Sequence, residues 1–212
     1  MKLGKLITIE GTEGAGKSTA MEFIRDYLAR SNKEVILTRE PGGTDIAEAI
    51  RNMLLHPVSQ EKIIPETELL LMFAGRAQHI YQCILPALKA GKWVVSDRYV
   101  DASYAYQGGG RGLDIEHINL LDHWIVGHHY PDLTLLLDVP ADLGFARAEK
   151  RGMQKDRIEQ EKIEFFMRVR NAYLERAKQD PKRIKIIHAS LALSQVQQQI
   201  QQVLDEFLSR NL

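Results

Sequence analysis

Residues 11–19, GTEGAGKST, combine closely spaced glycines with a lysine and hydroxyl side chains. They fit the pattern G-x-x-x-x-G-K-[ST] through Gly11, Gly16, Lys17 and Ser18. In such a loop the glycines let backbone N–H groups point at phosphate oxygens, the lysine reaches the β- and γ-phosphates, and the hydroxyl binds Mg²⁺. A glycine-rich turn without a ligand is the alternative, but the lysine and hydroxyls in register favour a nucleoside triphosphate site.

Two further loops carry residue types that suit phosphate chemistry. Asp97 and Arg98, within SDRY, follow an apolar run, and they supply a carboxylate for Mg²⁺ and a planar guanidinium for phosphate. A structural ion pair between these neighbours is the alternative. The loop TREPGGT at 38–44 follows another apolar run, and its proline and glycines indicate either an unusual backbone path or a rigid connector.

These loops are positioned by alternating strands and helices. Short apolar or β-branched runs predict five buried strands, at 6–10, 34–39, 92–97, 133–139 and 183–189. Helical spacing predicts helices at 18–30, 45–55, 66–89, about 114–127, 141–151 and 159–179, and an amphipathic final helix that includes 195–204. The alternation predicts one α/β domain over residues 1–212, with a parallel sheet of about five strands covered on both faces by helices. The loops that follow the strands then meet at one edge of the sheet, where ligands bind.

Composition excludes several classes of partner. Lys and Arg number 28 and Asp and Glu also number 28, so the net charge of 0 gives no general attraction to nucleic acid or anionic membranes. A single cysteine, Cys83, excludes an internal disulfide framework. No apolar run approaches the roughly 20 residues that cross a bilayer, and MKLGKLITIEG lacks the organisation of a signal peptide. We expect a cytoplasmic protein with no nucleic-acid or membrane partner.

A phosphate-binding loop alone does not identify the reaction. GTPases and motor ATPases transfer the γ-phosphoryl group to water, whereas kinases transfer it to a bound acceptor. The guanine-reading pattern N-K-x-D has no counterpart, which argues against a GTPase. A nucleotide-dependent switch that hydrolyses ATP without an acceptor stays open as an alternative.

The motifs taken together resemble one family. GTEGAGKST, TREPGGT, RAQH, DRY, AYQGGGRG and DRIEQE, in this order over residues 11–162, are similar to the bacterial type of the thymidylate kinase family. The resemblance implies the P-loop NTPase fold of nucleoside monophosphate kinases with a short mobile lid at about 146–158. It also implies Mg²⁺-dependent transfer of the γ-phosphoryl group of ATP to dTMP by a homodimer. A kinase of another nucleoside monophosphate is the nearest alternative, and AYQGGGRG argues against it.

The resemblance also assigns roles to individual residues. The residues it implies for ATP are Gly11, Thr12, Glu13, Gly14, Ala15, Gly16, Lys17, Ser18, Thr19 and Arg147. Those it implies for dTMP are Glu13, Arg51, Phe73, Arg76, Arg98, Ser103, Tyr106 and Gln107. Ser18 and Asp97 would bind Mg²⁺, and the catalytic residues would be Lys17, Asp97, Arg98 and Arg151.

Within the implied dTMP site each side chain has its own task. Arg51 and Arg98 would bind the phosphate, Glu13 would accept a hydrogen bond from the 3′-hydroxyl group, and Tyr106 would lie against C2′ of the sugar. In the base site the tasks go to Arg76, Ser103 and Gln107: Arg76 would donate to O4 of thymine, and the other two would reach its remaining polar edge. Such a site discriminates because a wrong base leaves buried polar groups unpaired.

Residue 72 departs from one common form of the family pattern, in which an aromatic side chain four residues before the arginine stacks on thymine. Here Met72 stands four residues before Arg76, and Phe73 stands three before it. Either can share a helix face with Arg76, because residues three and four apart are neighbours. We prefer Phe73 for its flat ring and keep Met72 as the alternative.

The lid segment supplies the last candidate. Gly14 follows Glu13 in the phosphate-binding loop, where some family members place an arginine, so this loop offers no cation there. Arg147 and Arg151 stand at i and i+4 before a further basic stretch. By resemblance, Arg151 is the best candidate to stabilise the transferring phosphoryl group, and a solvated charge run is the alternative.

Overall fold

In a computed structural model, which describes residues 3–57, 61–150 and 156–210, five strands form one sheet. The strands are β1 (Leu6–Glu10), β2 (Val35–Arg39), β3 (Trp93–Asp97), β4 (Leu133–Asp138) and β5 (Ile184–His188). Their order is β2-β3-β1-β4-β5, and all neighbouring pairs are parallel. The five predicted strands are confirmed to within one residue at each end, as is the α/β fold.

The strand sequences follow from their place in the sheet. The three central strands, β1, β3 and β4, are buried over nearly their whole length, whereas β2 and β5 at the edges are partly exposed. Because helices cover both faces of a parallel sheet, the central strands are continuously apolar rather than alternating. The chain crosses from one side of the sheet to the other around β1, so the loop after β1 lies at the point where ligands bind in such folds.

The helices lie between and after the strands. They are α1 (Lys17–Arg30), α2 (Asp45–Leu55), α3 (Pro65–His79), α4 (Leu85–Lys89), α5 (Val100–Ser103), α6 (Ile115–Ile125), α7 (Ala141–Lys150), α8 (Ile163–Gln179) and α9 (Leu193–Arg210). Within these described helices, none is long and apolar enough to cross a membrane. The predicted final helix is α9, and it buries Ile200 and Leu204 against the sheet.

The helix predicted at 66–89 is continuous but changes its geometry. A π-helical segment, Ile80–Ile84, joins α3 to α4. Pro86 has no N–H group, and its ring would clash with the carbonyl four residues earlier in a regular helix, so the wider turn before it accommodates the proline.

One helical segment was not predicted from the sequence. Helix α5 continues into a second π-helical segment, Tyr104–Gly110, although three consecutive glycines disfavour helix. The glycines allow close packing on α8, since a Cβ atom at Gly109 would lie 2.5 Å from the Cβ of Ala172. A Cβ atom at Gly110 would lie 2.5 Å from the ring of Phe165. Tertiary packing therefore overrides local propensity in the segment that carries three of the predicted site residues.

Candidate active site

The phosphate-binding loop lies between β1 and α1, as its motif requires. Gly11, Gly14 and Gly16 have φ values of 139°, 73° and 91°, a region that favours glycine. Lys17 Nζ donates to the carbonyl oxygens of Gly11 and Thr12 at 3.2 and 3.1 Å, so its ammonium group folds over the loop. The pocket above the loop is lined by Glu13, Gly14, Gly16, Lys17, Ser18, Thr19, Arg51, Asp97, Arg98, Arg147, Asp156 and Glu159. The residues predicted for the triphosphate therefore lie together.

Gly14 packs directly against α7. A Cβ atom at this position would lie 2.0 Å from the carbonyl oxygen of Gly144, and one at Gly144 would lie 2.7 Å from the carbonyl oxygen of Glu13. Two glycines thus let the loop and the helix touch through their backbones. A side chain at position 14 would require α7 to move.

Asp97 and Arg98 emerge at the carboxyl end of β3, beside the loop. Asp97 Oδ1 is buried and has no hydrogen-bond partner in the described part of the chain. Arg98 has φ 67°, and its Nη2 donates to Glu13 Oε1 at 2.6 Å and to the Tyr106 hydroxyl oxygen at 2.7 Å. Its Nε, also buried, finds no acceptor among those residues. Asp97 and Arg98 therefore each keep one polar atom that a ligand could bind.

The charges of Glu13, Lys17 and Arg98 shift one another's pKa values. Burial would raise the pKa of Glu13, but the positive charges of Arg98 and Lys17 outweigh it and hold this pKa below its ordinary value. Burial lowers the pKa of Lys17 and the charge of Arg98 lowers it further, against the opposing charges of Asp97 and Glu13. Glu13 is therefore a carboxylate, and it accepts hydrogen bonds from Arg98 and from the Tyr106 hydroxyl group.

A second cavity opens next to the phosphate pocket and encloses about 530 Å³, including its open mouth. It is lined by Glu13, Glu40, Pro41, Arg51, Leu55, Met72, Arg76, Arg98, Ala102, Ser103, Tyr106, Gln107, Asp156 and Ile158. Four residues line both spaces: Glu13, Arg51, Arg98 and Asp156. Apolar side chains form part of the wall and polar groups the rest, which suits a flat base with one polar edge and a phosphate at the shared end.

The preference for Phe73 over Met72 requires correction. Phe73 is 1% exposed and packs in the core with Leu69 and Ile80, and it does not line the cavity. The guanidinium carbon of Arg76 lies 4.6 Å from its ring centroid, so the ring supports the arginine from the core side. Met72, one position earlier and about 100° round the helix, lines the cavity instead. Met72 replaces Phe73 as the candidate that covers the base.

Arg76 is held in a fixed orientation at the cavity wall. Its Nε donates to Glu40 Oε2 at 2.8 Å, its Nη1 to Ser103 Oγ at 2.9 Å and its Nη2 to the Tyr99 carbonyl oxygen at 3.0 Å. Glu40, which lies in TREPGGT and is 5% exposed, was not among the residues predicted for the site. Its only signal in the sequence is a carboxylate in a loop that follows a strand.

The loop TREPGGT also holds Arg51, another of the three arginines that line the cavity. Arg51 Nη1 donates to the carbonyl oxygen of Pro41 at 2.9 Å. This loop therefore positions both Arg51 and Arg76, and it is more than a connector.

A buried histidine supports Glu40 from behind. His79 Nδ1 lies 2.9 Å from Glu40 Oε1, and its Nε2 lies 2.7 Å from Thr38 Oγ1. Burial alone would lower the pKa of His79, but hydrogen bonds with the Cys83 thiol and the Glu40 carboxylate, together with the charge of Glu40, raise it to about 9. The imidazolium form then donates from both ring nitrogens, to Glu40 and to Thr38.

Because the folded-state pKa of His79 lies above the ordinary value of 6.5, its contribution to stability is fully present below pH 6.5 and is lost as pH rises through about 9. We expect His79→Gln to lower the free energy of unfolding most at acidic to neutral pH and least above about pH 9. Urea unfolding of both proteins across this range measures the difference, which removes contributions from other titrating groups. A difference that stays constant with pH would contradict a charged His79.

Arg147, on α7, reaches the phosphate pocket. Its Nη1 donates to the carbonyl oxygen of Ala189 at 2.7 Å, and it lines both the phosphate pocket and a neighbouring apolar pocket. That neighbouring pocket is also lined by Ala15, Gly16, Thr19, Ala20, Ala189, Leu191, Leu193, Val196, Gln197 and Ile200. Arg151 lies outside the described residues, and only the two ends of the predicted lid at about 146–158 are described.

Comparison with known proteins identifies the family. A family model described as thymidylate kinase matches residues 9–200. Thymidylate kinases from Ruthia magnifica and Pseudomonas entomophila are 57% and 51% identical to this chain over 204 and 207 residues, which cover 96% and 98% of it and 98% of each relative. The crystal structure of thymidylate kinase from Ehrlichia chaffeensis superposes with a TM-score of 0.75 at 32% identity, covering 95% of this chain and 98% of that one. The chain belongs to the thymidylate kinase family.

Proposed function

We propose that the chain is a single P-loop kinase domain that transfers the γ-phosphoryl group of ATP to dTMP, giving dTDP and ADP on the route to dTTP. The observation that carries the proposal is the junction of the two pockets, which share Glu13, Arg51, Arg98 and Asp156. A hydrolase or switch needs a binding site for one nucleotide only. A second cavity of nucleotide size that opens onto the same arginines is what an acceptor substrate requires.

On the donor side, the loop backbone and Lys17 would bind the β- and γ-phosphates, and Arg147 would support the nucleotide from α7. The orphaned Oδ1 of Asp97 and the exposed Ser18 hydroxyl group line one pocket and are oxygen ligands, so they fit Mg²⁺. Among the described residues no group of three or more His, Cys, Asp or Glu side chains could hold a metal ion by itself. An ion bound jointly by protein and triphosphate would neutralise charge on the transferring phosphate.

On the acceptor side, Arg51 and Arg98 would bind the dTMP phosphate, and Glu13 would accept from the 3′-hydroxyl group. Tyr106 donates to Glu13 at 2.9 Å and accepts from Arg98, which holds its ring in one orientation. In that orientation the ring would lie against C2′ of the sugar. We propose that the thymine base lies in the same cavity, where Met72 would cover its face. The polar edge of the base would meet three groups of the cavity wall, namely Arg76, Ser103 and Gln107.

Incubation with Mg-ATP and each nucleoside monophosphate in turn tests this function. ADP formation should be fastest with dTMP, much slower with dCMP or AMP, and slowest with water alone, because the acceptor completes the site. Equal turnover with all acceptors, or ATP hydrolysis that dTMP does not stimulate, would contradict the proposal and favour another kinase or a nucleotide-dependent switch.

We further propose that the protein is a cytoplasmic homodimer. Helices α3 and α6 pack together and expose large apolar side chains, among them Leu70, Leu120 and Trp124, which are 58%, 69% and 75% exposed. An apolar patch of this kind is typical of an interface.

The patch gives a test of the oligomeric state. Trp124→Asp combined with Leu120→Asp should shift the mass measured by sedimentation from that of a dimer to that of a monomer, because two charges would have to be buried at the interface. Glu116→Ala with Asn119→Ala, polar changes on the same helix, serve as the control. An unchanged dimer in the charged variant would rule out this patch as the interface.

A further inference from the structure

Glu68, on α3, is a fully buried carboxylate to which the proposed mechanism gives no role. Gln107 Nε2 donates to its Oε1 at 2.7 Å, and Arg157 Nη2 donates to its Oε2 at 2.6 Å. Arg111 Nε lies 3.2 Å from both oxygens. Arg111 also pairs with Glu161, so two arginines and two carboxylates balance in charge. The carboxylate of Glu68 thus connects Gln107, which lines the second cavity, with Arg157, which lies 89 residues after Glu68 in the chain.

The charge state of Glu68 limits what it can do. Burial would raise its pKa, but hydrogen bonds from Arg111, Gln107 and Arg157 and the charge of Arg111 hold it below the ordinary value. An ionised carboxylate accepts hydrogen bonds and cannot donate them.

The orientation of the Gln107 amide follows from this. Because Glu68 only accepts, the NH₂ group of Gln107 must face it, and the amide oxygen is the end left for another partner. Gln107 lines the cavity, and no residue in the described ranges donates a hydrogen bond to its Oε1. The cavity wall therefore presents an acceptor at this point, whereas an unrestrained glutamine could present either end.

We infer that Glu68 is a positioning residue for base choice, whose carboxylate fixes Gln107 so that the amide oxygen meets N3–H of thymine or uracil and repels the N3 lone pair of cytosine. The inference deepens the proposed function and rests on it. Gln107 touches the base, and Glu68 acts through Gln107. Arg111 and Arg157 keep the carboxylate charged.

Glu68→Gln is the direct test. The two arginines would claim the oxygen of the new amide and leave its NH₂ group facing Gln107, which would then turn its own NH₂ group to the cavity. Inhibition constants of dCMP and dUMP against dTMP turnover measure the effect, because these nucleotides differ only at N3 and position 4 of the ring. The ratio of the dCMP constant to the dUMP constant should fall about tenfold, as expected when one buried polar contact changes its sign.

The dTMP to dUMP preference should stay within about twofold of wild type, because the 5-methyl group is remote from this contact. The dCMP to dUMP ratio and the dTMP to dUMP ratio do not depend on the fraction of folded protein. A variant that only loses stability would therefore not change the first ratio while keeping the second. Glu161→Gln is the matched control: it removes a carboxylate from Arg111 but leaves Glu68 and Gln107 paired, and it should keep both ratios. If Glu68→Gln does not fold, the charge-balanced double variant Glu68→Gln with Arg157→Gln replaces it and should show the same fall.

An unchanged dCMP to dUMP ratio in the variant, or an equal fall in Glu161→Gln, would overturn the role of Glu68. Failure of the proposed function looks different. If the wild-type protein itself binds dCMP as well as dUMP, the proposed base site is contradicted, and the inference falls with it.

Discussion

Arg98→Ala is expected to lower kcat/KM for dTMP by about 10²- to 10³-fold. Arg98 lies where the two pockets meet and holds both Glu13 and Tyr106 at hydrogen-bond distance. Truncating one member of a buried charge pair costs about 2–5 kcal/mol, and the Arg98–Glu13 pair is partly buried, with side chains 21% and 12% exposed. About 1.36 kcal/mol corresponds to a tenfold change in rate. The change would remove the phosphate ligand and leave Glu13 without its closest cation.

Steady-state kinetics with dTMP varied at saturating Mg-ATP measures this effect, and thermal unfolding checks that the variant is folded. Arg25→Ala serves as the control, since Arg25 is exposed on α1 and pairs only with its neighbour Asp26 in the described structure. Arg98→Lys should recover only part of the loss, because an ammonium group lacks the planar fork that reaches two oxygens. A loss below tenfold in Arg98→Ala would contradict its place at the phosphate.

The pH profile of Arg98→Ala should change in a defined direction. Burial raises the pKa of Glu13 and Arg98 is the largest influence that lowers it, so removal of Arg98 raises this pKa. The acidic limb of kcat/KM should therefore move to higher pH in the variant, since Glu13 would be protonated over a wider range. Arg25→Ala should leave the limb where it is in the wild type.

The sheet was predictable because its central strands are buried on both faces. Short apolar runs such as LITIE and LTLLLD are typical of strands that are buried on both faces, and both lie in the interior of the sheet. The helix at 100–110 was not predictable, because Gly108, Gly109 and Gly110 oppose helix locally. They are explained only by the neighbouring α8, which the sequence does not reveal as the partner.

The candidate site divides along a similar line. Most of the residues that the resemblance assigned line one or both pockets, whereas Phe73 does not. Glu40, which holds Arg76 in place, lies inside the motif TREPGGT, but nothing in the sequence shows that its side chain is buried. Glu68, which holds Gln107, lies in no motif, and a buried carboxylate looks like a surface residue in a sequence. Phe73 does not line the cavity although the preceding residue, Met72, does, because adjacent residues on a helix point about 100° apart.

The second large effect concerns Arg151, which is outside the described residues and is proposed from the sequence. Arg151→Ala is expected to lower kcat by about 10³-fold or more, the scale of catalytic arginines in phosphoryl transfer, and to change KM for dTMP by much less. The reason is that the loop offers no cation at Gly14, and the structure explains why it cannot. A Cβ atom there would lie 2.0 Å from the carbonyl oxygen of Gly144, so the loop is closed to a side chain at that position.

The missing charge must then come from beyond the loop, and α7 leads toward it. This helix carries Arg147 into the phosphate pocket, and its last described residue is Lys150, which precedes Arg151 in the sequence. Lys150→Ala is the matched control, since it removes the same charge from an exposed neighbouring position. Equal losses in kcat and in dTMP affinity for Arg151→Ala, or no loss in kcat, would contradict the assignment.

A combined variant separates this explanation from a general loss of positive charge. Gly14→Arg added to Arg151→Ala restores the net charge and places an arginine where other family members have it. It should not restore kcat, because the new side chain must displace Gly144 and with it the helix that carries Arg147. Recovery of kcat to within tenfold of wild type would mean that the loop tolerates the cation, and that close packing of the two glycines is not the reason this chain relies on its lid.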